Sequence, residues 1–144
     1  MPFCRFAFVL LLAASVPFAS VAQSPEIAAP RLHLELNNLQ DVEGACRLSF
    51  LAKNETGEAI DKAVFEAVIF DTSGGVASLS LFDFRDLPAD RARVRQFDLP
   101  GTACSNIGQT LINGANSCVV QGTESEICKG ALSLSSRLSV ELLG

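Results

Sequence analysis

The sequence predicts an all-β fold: an immunoglobulin-like antiparallel β-sandwich with one short helix and two disulfides. Three observations lead there. Short runs in which apolar and polar residues alternate recur along the chain, separated by clusters of Gly, Asn, Asp and Ser. Only one stretch has helical spacing. Four cysteines follow residue 22, an even set suited to bridges. Short strands with regular turn signals and few helices are the pattern of a sandwich, although the Trp that packs on the inter-sheet disulfide of true immunoglobulin domains is missing.

The first 22 residues stand apart. Arg5 precedes an apolar run from Phe6 to Val16, and Ser20-Val21-Ala22 gives the small-x-small pattern of a signal peptidase site before Gln23. Residues 1–22 are therefore read as a cleaved export signal, with no twin-arginine pair and no following lipoprotein cysteine. Residues 23–30, QSPEIAAP, read as a flexible leader, and residues 31–144 as one β-sandwich domain. An exported product of this kind is periplasmic or secreted.

Within the domain, RLHLELNNL alternates with Leu32, Leu34 and Leu36 on one face, and CRLSFLAKN places Cys46, Leu48, Phe50 and Ala52 inward before an Asn54–Gly57 turn. AVFEAVIFD is apolar at both parities, as in a strand covered on both sides. VASLSLFDF and ARVRQFDL flank a turn at Leu87-Pro88-Ala89-Asp90 and read as an antiparallel hairpin, with Asp83 opposite Arg95. Ser105 is set to cap a short helix with Ile107 and Leu111 on one face and Asn113-Gly114 as the stop. ALSLSSRLSVELL alternates throughout and reads as one long final strand.

Cys4 leaves with the signal, so Cys46, Cys104, Cys118 and Cys128 remain. Their spacing fits neither a CxxC redox pair nor a zinc ribbon, which points to structural bridges in an oxidising compartment. Three connectivities are open, and the expected one joins Cys46 to Cys104 and Cys118 to Cys128. Removal of Arg5 leaves 10 of the 11 Lys and Arg against 16 Asp and Glu, a net charge of −6. That balance argues against nucleic acid, and no polybasic segment addresses anionic lipid. No membrane contact is expected after signal cleavage. The lack of Trp and Tyr counts mildly against a carbohydrate-stacking module or an antibody-like binding surface, where those rings usually make the contacts.

Reactive chemistry is sparse. His33, the one histidine, sits beside Glu35 on an outward strand face; it is a candidate general base or ligand, but a solvated face accounts for it. Nucleophile-elbow, HExxH, Walker and Rossmann patterns are absent. No cofactor, metal or catalytic residue is expected. Asn54-Glu55-Thr56 fits a glycosylation sequon, and the start of the Ser105 helix offers amides to an anion. The stretch LFDFRDLPADRARVRQFDLPG carries four Asp and four Arg. Its apolar parity changes in both halves, which predicts either a crossing or bulge near residues 81–82 and 95–96 or a tip packed on the opposite face. Its charges suit a solvated hairpin face, and Arg85, Arg93 and Arg95 form its candidate partner surface.

LHLELN, GACRLSF, LFDFRDLP, VRQFDLPG, the C-x-x-I-G-x-x-L-I-N-G segment from Cys104 to Gly114, and Ser135-Ser136-Arg137 together resemble a family of small exported alphaproteobacterial proteins without an assigned function. The likeness covers most of the mature chain. Some relatives are labelled twin-arginine signal proteins, a pattern this chain departs from because Arg5 stands alone. The resemblance implies a periplasmic or secreted product and carries over no site residue. The leading functional expectation is a non-enzymatic binding or accessory module of the bacterial envelope with a protein partner. The alternatives are a small hydrolase using His33 or a carboxylate pair, and a secreted protease inhibitor presenting the segment between Cys118 and Cys128.

Overall fold

The alternating runs do become strands, and the structure, a computed structural model, describes Met1 and residues 26–144. The export-signal segment lies outside the described residues. Residues 26–30 are exposed and irregular, and order begins after Pro30. The elements are β1 (Arg31–Val42), β2 (Ala45–Glu55), β3 (Ile60–Asp71), β4 (Val76–Leu87), β5 (Ala92–Pro100), a 3-10 turn at Cys104–Asn106, β6 (Ile107–Val120), β7 (Thr123–Glu124), the one-turn helix α1 (Ile127–Gly130), β8 (Leu132–Ser136) and β9 (Glu141–Leu143).

Two sheets form the sandwich. One has the order β5-β2-β1-β8 and the other β4-β3-β6-β7, with β9 also beside β6. The ladders are antiparallel except β1 with β8 and β6 with β9, which are parallel. Leu32, Leu34, Leu36, Leu48 and Phe50 of the first sheet meet Phe65, Ala67, Ile69, Phe82, Phe84 and Ile112 of the second in one buried core. The chain changes sheet after β2, β4, β5, β7 and β8. β3 is in the middle of its sheet, and Val64 and Val68 on its outer face are buried too, which explains its apolar residues at both parities.

The expected pairing of β4 with β5 is overturned: β4 pairs with β3, β5 pairs with β2, and the two lie in opposite sheets. Neither strand changes parity in the expected way. β4 turns its even residues inward up to Phe84, and β5 turns its odd residues inward along an unbroken register with β2. The irregularity near the expected place is a bulge at Asp83–Arg85, where Arg85 has φ 58° and the Asp83 carboxylate accepts the Arg85 N–H at 2.8 Å. Phe82 and Phe97 are therefore stacked across the sandwich, 4.2 Å between centroids and 2° between planes.

Asn54 pins this crossing. It is fully buried; its side-chain N–H groups donate to Glu58 O and Leu87 O, both at 2.7 Å, and its own carbonyl accepts from Asp90 N at 2.7 Å. Its Nδ2 is thus committed inside the fold, and a buried, doubly bonded amide is not available to a glycan. Asn54→Ala removes the side-chain donor of the buried Leu87 carbonyl and should lower stability by about 1–3 kcal/mol, read by urea unfolding.

The expected helix after Ser105 is replaced by one 3-10 turn and then β6. Gly108, Asn113, Gly114 and Asn116 are poor helix formers, and β3 needs a neighbour on the side away from β4. Gly108 is required where it stands, since a Cβ there would collide with the Asp71 carbonyl. The expected long final strand is two strands in different sheets. Ser136 Oγ donates to Val140 O at 2.6 Å and accepts Leu138 N at 3.1 Å, turning the chain between β8 and β9. Leu132 and Leu134 of β8 pack partly buried against the core, and in β9 Leu142 is buried between exposed neighbours.

Exposed carboxylates give the fold an acid limit. Asp71 is held below the usual carboxylate range by the Ser73 hydroxyl and the Gly75 amide, Asp98 by a two-bond pair with Arg47 at 2.7 and 2.9 Å, and Glu55 by Lys53. Depressed folded-state values contribute stability above the unfolded pKa that is lost as pH falls through the folded one. The melting temperature should therefore hold above the ordinary carboxylate pKa of about 4 and drop below it, more gently in Asp71→Asn. Equal acid slopes for the variant and the wild type would remove Asp71 from this account.

Candidate functional site at the open edge between β4 and β5

Because β4 and β5 end their respective sheets on the same side, the sandwich has an open flank there. A shallow groove of about 500 Å³ runs along it, lined by Leu81, Asp83, Arg85, Val94, Arg95, Gln96 and Phe97. Two of the three predicted arginines, Arg85 and Arg95, are thereby brought together. Arg93 does not line the groove and donates to the carbonyl of Ala92 at 3.2 Å.

The two groove arginines do different work. Arg95 points inward from β5, and its guanidinium donates to Phe84 O at 2.6 Å and Asp86 O at 2.8 Å, with the Asp86 carboxylate 3.5 Å away. The expected facing of Asp83 and Arg95 across a hairpin is replaced by this clasp between sheets. It also occupies main-chain carbonyls of β4 that would otherwise accept a foreign strand. Arg95→Ala should cost about 1–2 kcal/mol and raise self-association, measured by urea unfolding and sedimentation velocity. Arg85, on the bulge, is exposed and makes no ion pair among the described residues.

The apolar residues are what sequence reasoning misplaced. Leu79 and Leu81 face outward at 57% and 55% exposure, and Val94 at 61%. Leu79 registers with Val68, Val68 with Leu111, and Leu111 with Leu143, so an apolar row crosses the outer face of the second sheet from β4 to β9. A sandwich's outer face is ordinarily the polar one. The available signal was the presence of apolar residues at both parities in SLSLFDF, which a single buried face does not need.

The remaining candidates fall elsewhere. His33 stands on the outer face of β1 against β8, with Nε2 3.1 Å from Ser135 Oγ and Nδ1 3.4 Å from Ser133 Oγ. Glu35 accepts Asn37 Nδ2 at 2.8 Å and lies 4.0 Å from Arg137. The turn carrying Ser105 has no side-chain cap, and the Cys104 N–H is taken by Asp41 at 2.8 Å, so the expected anion site at a helix start does not form. The segment from Cys118 to Cys128 is a hairpin and a helical turn rather than an open loop: Gln121 and Gly122, at φ 50° and 74°, join β6 to β7. Among the described residues no cluster of three His, Cys, Asp or Glu is placed to hold a metal, and no helix is long and apolar enough to cross a membrane. Both disulfides, Cys46–Cys104 and Cys118–Cys128, join the expected partners and belong to an oxidising, non-cytoplasmic compartment.

No family model matches the chain, and no curated protein does. Among solved structures it is similar to IrmA from Escherichia coli, with a TM-score of 0.57 and 9% identity over 73% of this chain and 91% of that one. At that identity the likeness is one of fold.

Proposed function

We propose that the protein is an exported, non-enzymatic binding or accessory module of the bacterial envelope, and that its contact surface is the open flank formed by β4 and β5. The observation that carries this is the grouping of exposed Leu81 and Val94 with Arg85 in one groove. Exposed apolar side chains gathered beside an arginine make a mixed patch, with Asp83 also lining it, and such exposed apolar patches and arginines are features of protein contact surfaces. The two disulfides and the inter-sheet Phe cluster supply a rigid platform, which lowers the ordering cost of binding. A periplasmic or secreted location, and kinship with the small exported alphaproteobacterial proteins, are parts of the same reading.

The test is recovery of partners from an envelope extract by the wild type, by a Leu81→Asp/Val94→Asp variant and by Arg85→Ala. Arg95 stays intact because it clasps the sheets. A specific partner should be lost from the first variant and reduced with the second; equal recovery from all three would sink the flank as the contact surface. Finding Gln23 as the first residue of protein purified from the periplasm or medium would support the export reading, and an intact Met1 would count against it.

A second reading, a hydrolase, draws on the 3.1 Å approach of Ser135 Oγ to His33 Nε2, the reach a general base needs. Against it, the pair lies on the outer face of a sheet, and the group opposite Nδ1 is a serine where a carboxylate would orient the ring. A fluorophosphonate that labels wild type but not Ser135→Ala would favour it; an unlabelled wild type would remove it.

A further inference from the structure

β4 is the last strand of its sheet, so one row of its main-chain N–H and C=O groups has no ladder partner. Such edges are ordinarily guarded by a charge, a Pro or a bulge. The Arg95 clasp covers only the Phe84 and Asp86 carbonyls. Between an extra residue at Ala77 and the Asp83–Arg85 bulge, Ser78 to Phe82 pairs with β3 without a break. No charge occurs from Thr72 to Phe82, and Leu79 and Leu81 stand exposed on the outer face.

This stretch is complementary to itself. Laid antiparallel on a second copy about a two-fold axis at Ser80, it sets Leu79 opposite the partner's Leu81 and Leu81 opposite the partner's Leu79. The outer faces of the two sheets then lie on the same side, and the leucines of both copies close over the junction. The same register carries Arg85 to the partner's turn at Asp71–Gly75. Arg85 is exposed and makes no ion pair among the described residues. In that turn Asp71 Oδ1 accepts the Ser73 and Gly75 amides and the Ser73 hydroxyl. Its Oδ2 accepts no hydrogen bond among the described residues and lies over Gly75, where a Cβ would stand 3.2 Å from it. An arginine without a carboxylate on one copy thus meets a held carboxylate on the other, and symmetry makes the contact twice. We propose that the chain forms a two-fold dimer by pairing β4 with β4 of a second copy, locked by Arg85 on the partner's Asp71. A second copy is favoured over a foreign strand because this chain alone supplies both the leucine match and the charge match. The uncharged edge also lets two acidic chains approach. The inference rests on the reading of this flank as a contact surface and names what covers its β4 edge.

The test is sedimentation velocity of the purified, oxidised mature chain over a concentration series, joined to hydrogen exchange. Wild type should pass from monomer to dimer, and the β4 amides that face the edge should exchange more slowly in the dimer. Leu79→Lys/Leu81→Lys, at exposed positions, should leave a monomer. Arg85→Glu and Asp71→Lys should each weaken the dimer by about tenfold or more. Mixed together, these two variants should recover it, since each supplies the charge that the other lacks. Arg85→Glu alone decides the ion pair if Asp71→Lys loosens its turn. A wild type that stays monomeric, or a dimer unchanged by the paired lysines or by Arg85→Glu, overturns the proposal. A monomer that still captures an envelope partner through Leu81 and Val94 would sink the dimer and keep the reading of the flank. A dimer with equal partner recovery from every variant would do the reverse.

Discussion

Phe84→Ala should lower the unfolding free energy by about 3–5 kcal/mol, the range for deleting a fully buried phenyl ring. Phe84 is completely buried and is the junction of the aromatic core: its ring lies 5.5 Å from Phe50, 5.6 Å from Phe65 and 5.1 Å from Phe97. Phe50 and Phe97 belong to one sheet and Phe65 to the other, so deletion leaves a cavity that neither sheet can close alone. Urea titration should show a lower midpoint at an unchanged slope. Phe97→Ala, at a half-buried position, should cost less. A Phe84→Ala loss under about 2 kcal/mol would mean that the sandwich collapses onto the gap.

Breaking Cys46–Cys104 by double substitution to Ser should cost about 4 kcal/mol, and breaking Cys118–Cys128 about 3. The difference comes from the loops closed, 58 residues against 10, because a longer tether removes more freedom from the unfolded chain. The long bridge joins β2 to the turn that leads into the opposite sheet, and Cys46 is fully buried, so its loss also loosens the core. The two variants are compared by urea unfolding without reductant. A larger effect from the short bridge would mean that native packing around α1, and not loop entropy, sets the order.

Sequence reached some of this fold and missed the rest for definable reasons. β1 and β2 are visible because Leu32-x-Leu34-x-Leu36 and Cys46-x-Leu48-x-Phe50 bury every second residue between turn signals. The disulfide partners match the expected pairing, but sequence left three connectivities open, and only the packing of the folded chain selects this one. Strand pairing was not visible: a short link such as Pro88–Arg91 favours a local hairpin by default, whereas here β4 and β5 take partners in opposite sheets and buried Asn54 holds Leu87 and Asp90 at the crossing. Equating apolar with inward then misread Leu79 and Leu81. β6 shows tertiary demand overriding local signal, since β3 needs a second partner more than Ile107 and Leu111 need to share a helical face. At the candidate site, Arg85 and Arg95 were legible as charges, but the division between a free arginine and a clasping one exists only once two sheets face each other.

The parallel pairing of β1 with β8 has a consequence for the order of events in the cell. Leu32 meets Leu132, so the first strand has no neighbour on one side until a segment 100 residues later is present. Contacts of such separation form slowly. A chain emerging from a ribosome can pair β1 with β2 and β3 with β4 locally, but it cannot complete the first sheet until β8 has been made. Under the export proposed above, that delay keeps the first sheet incomplete until the last strands have been made.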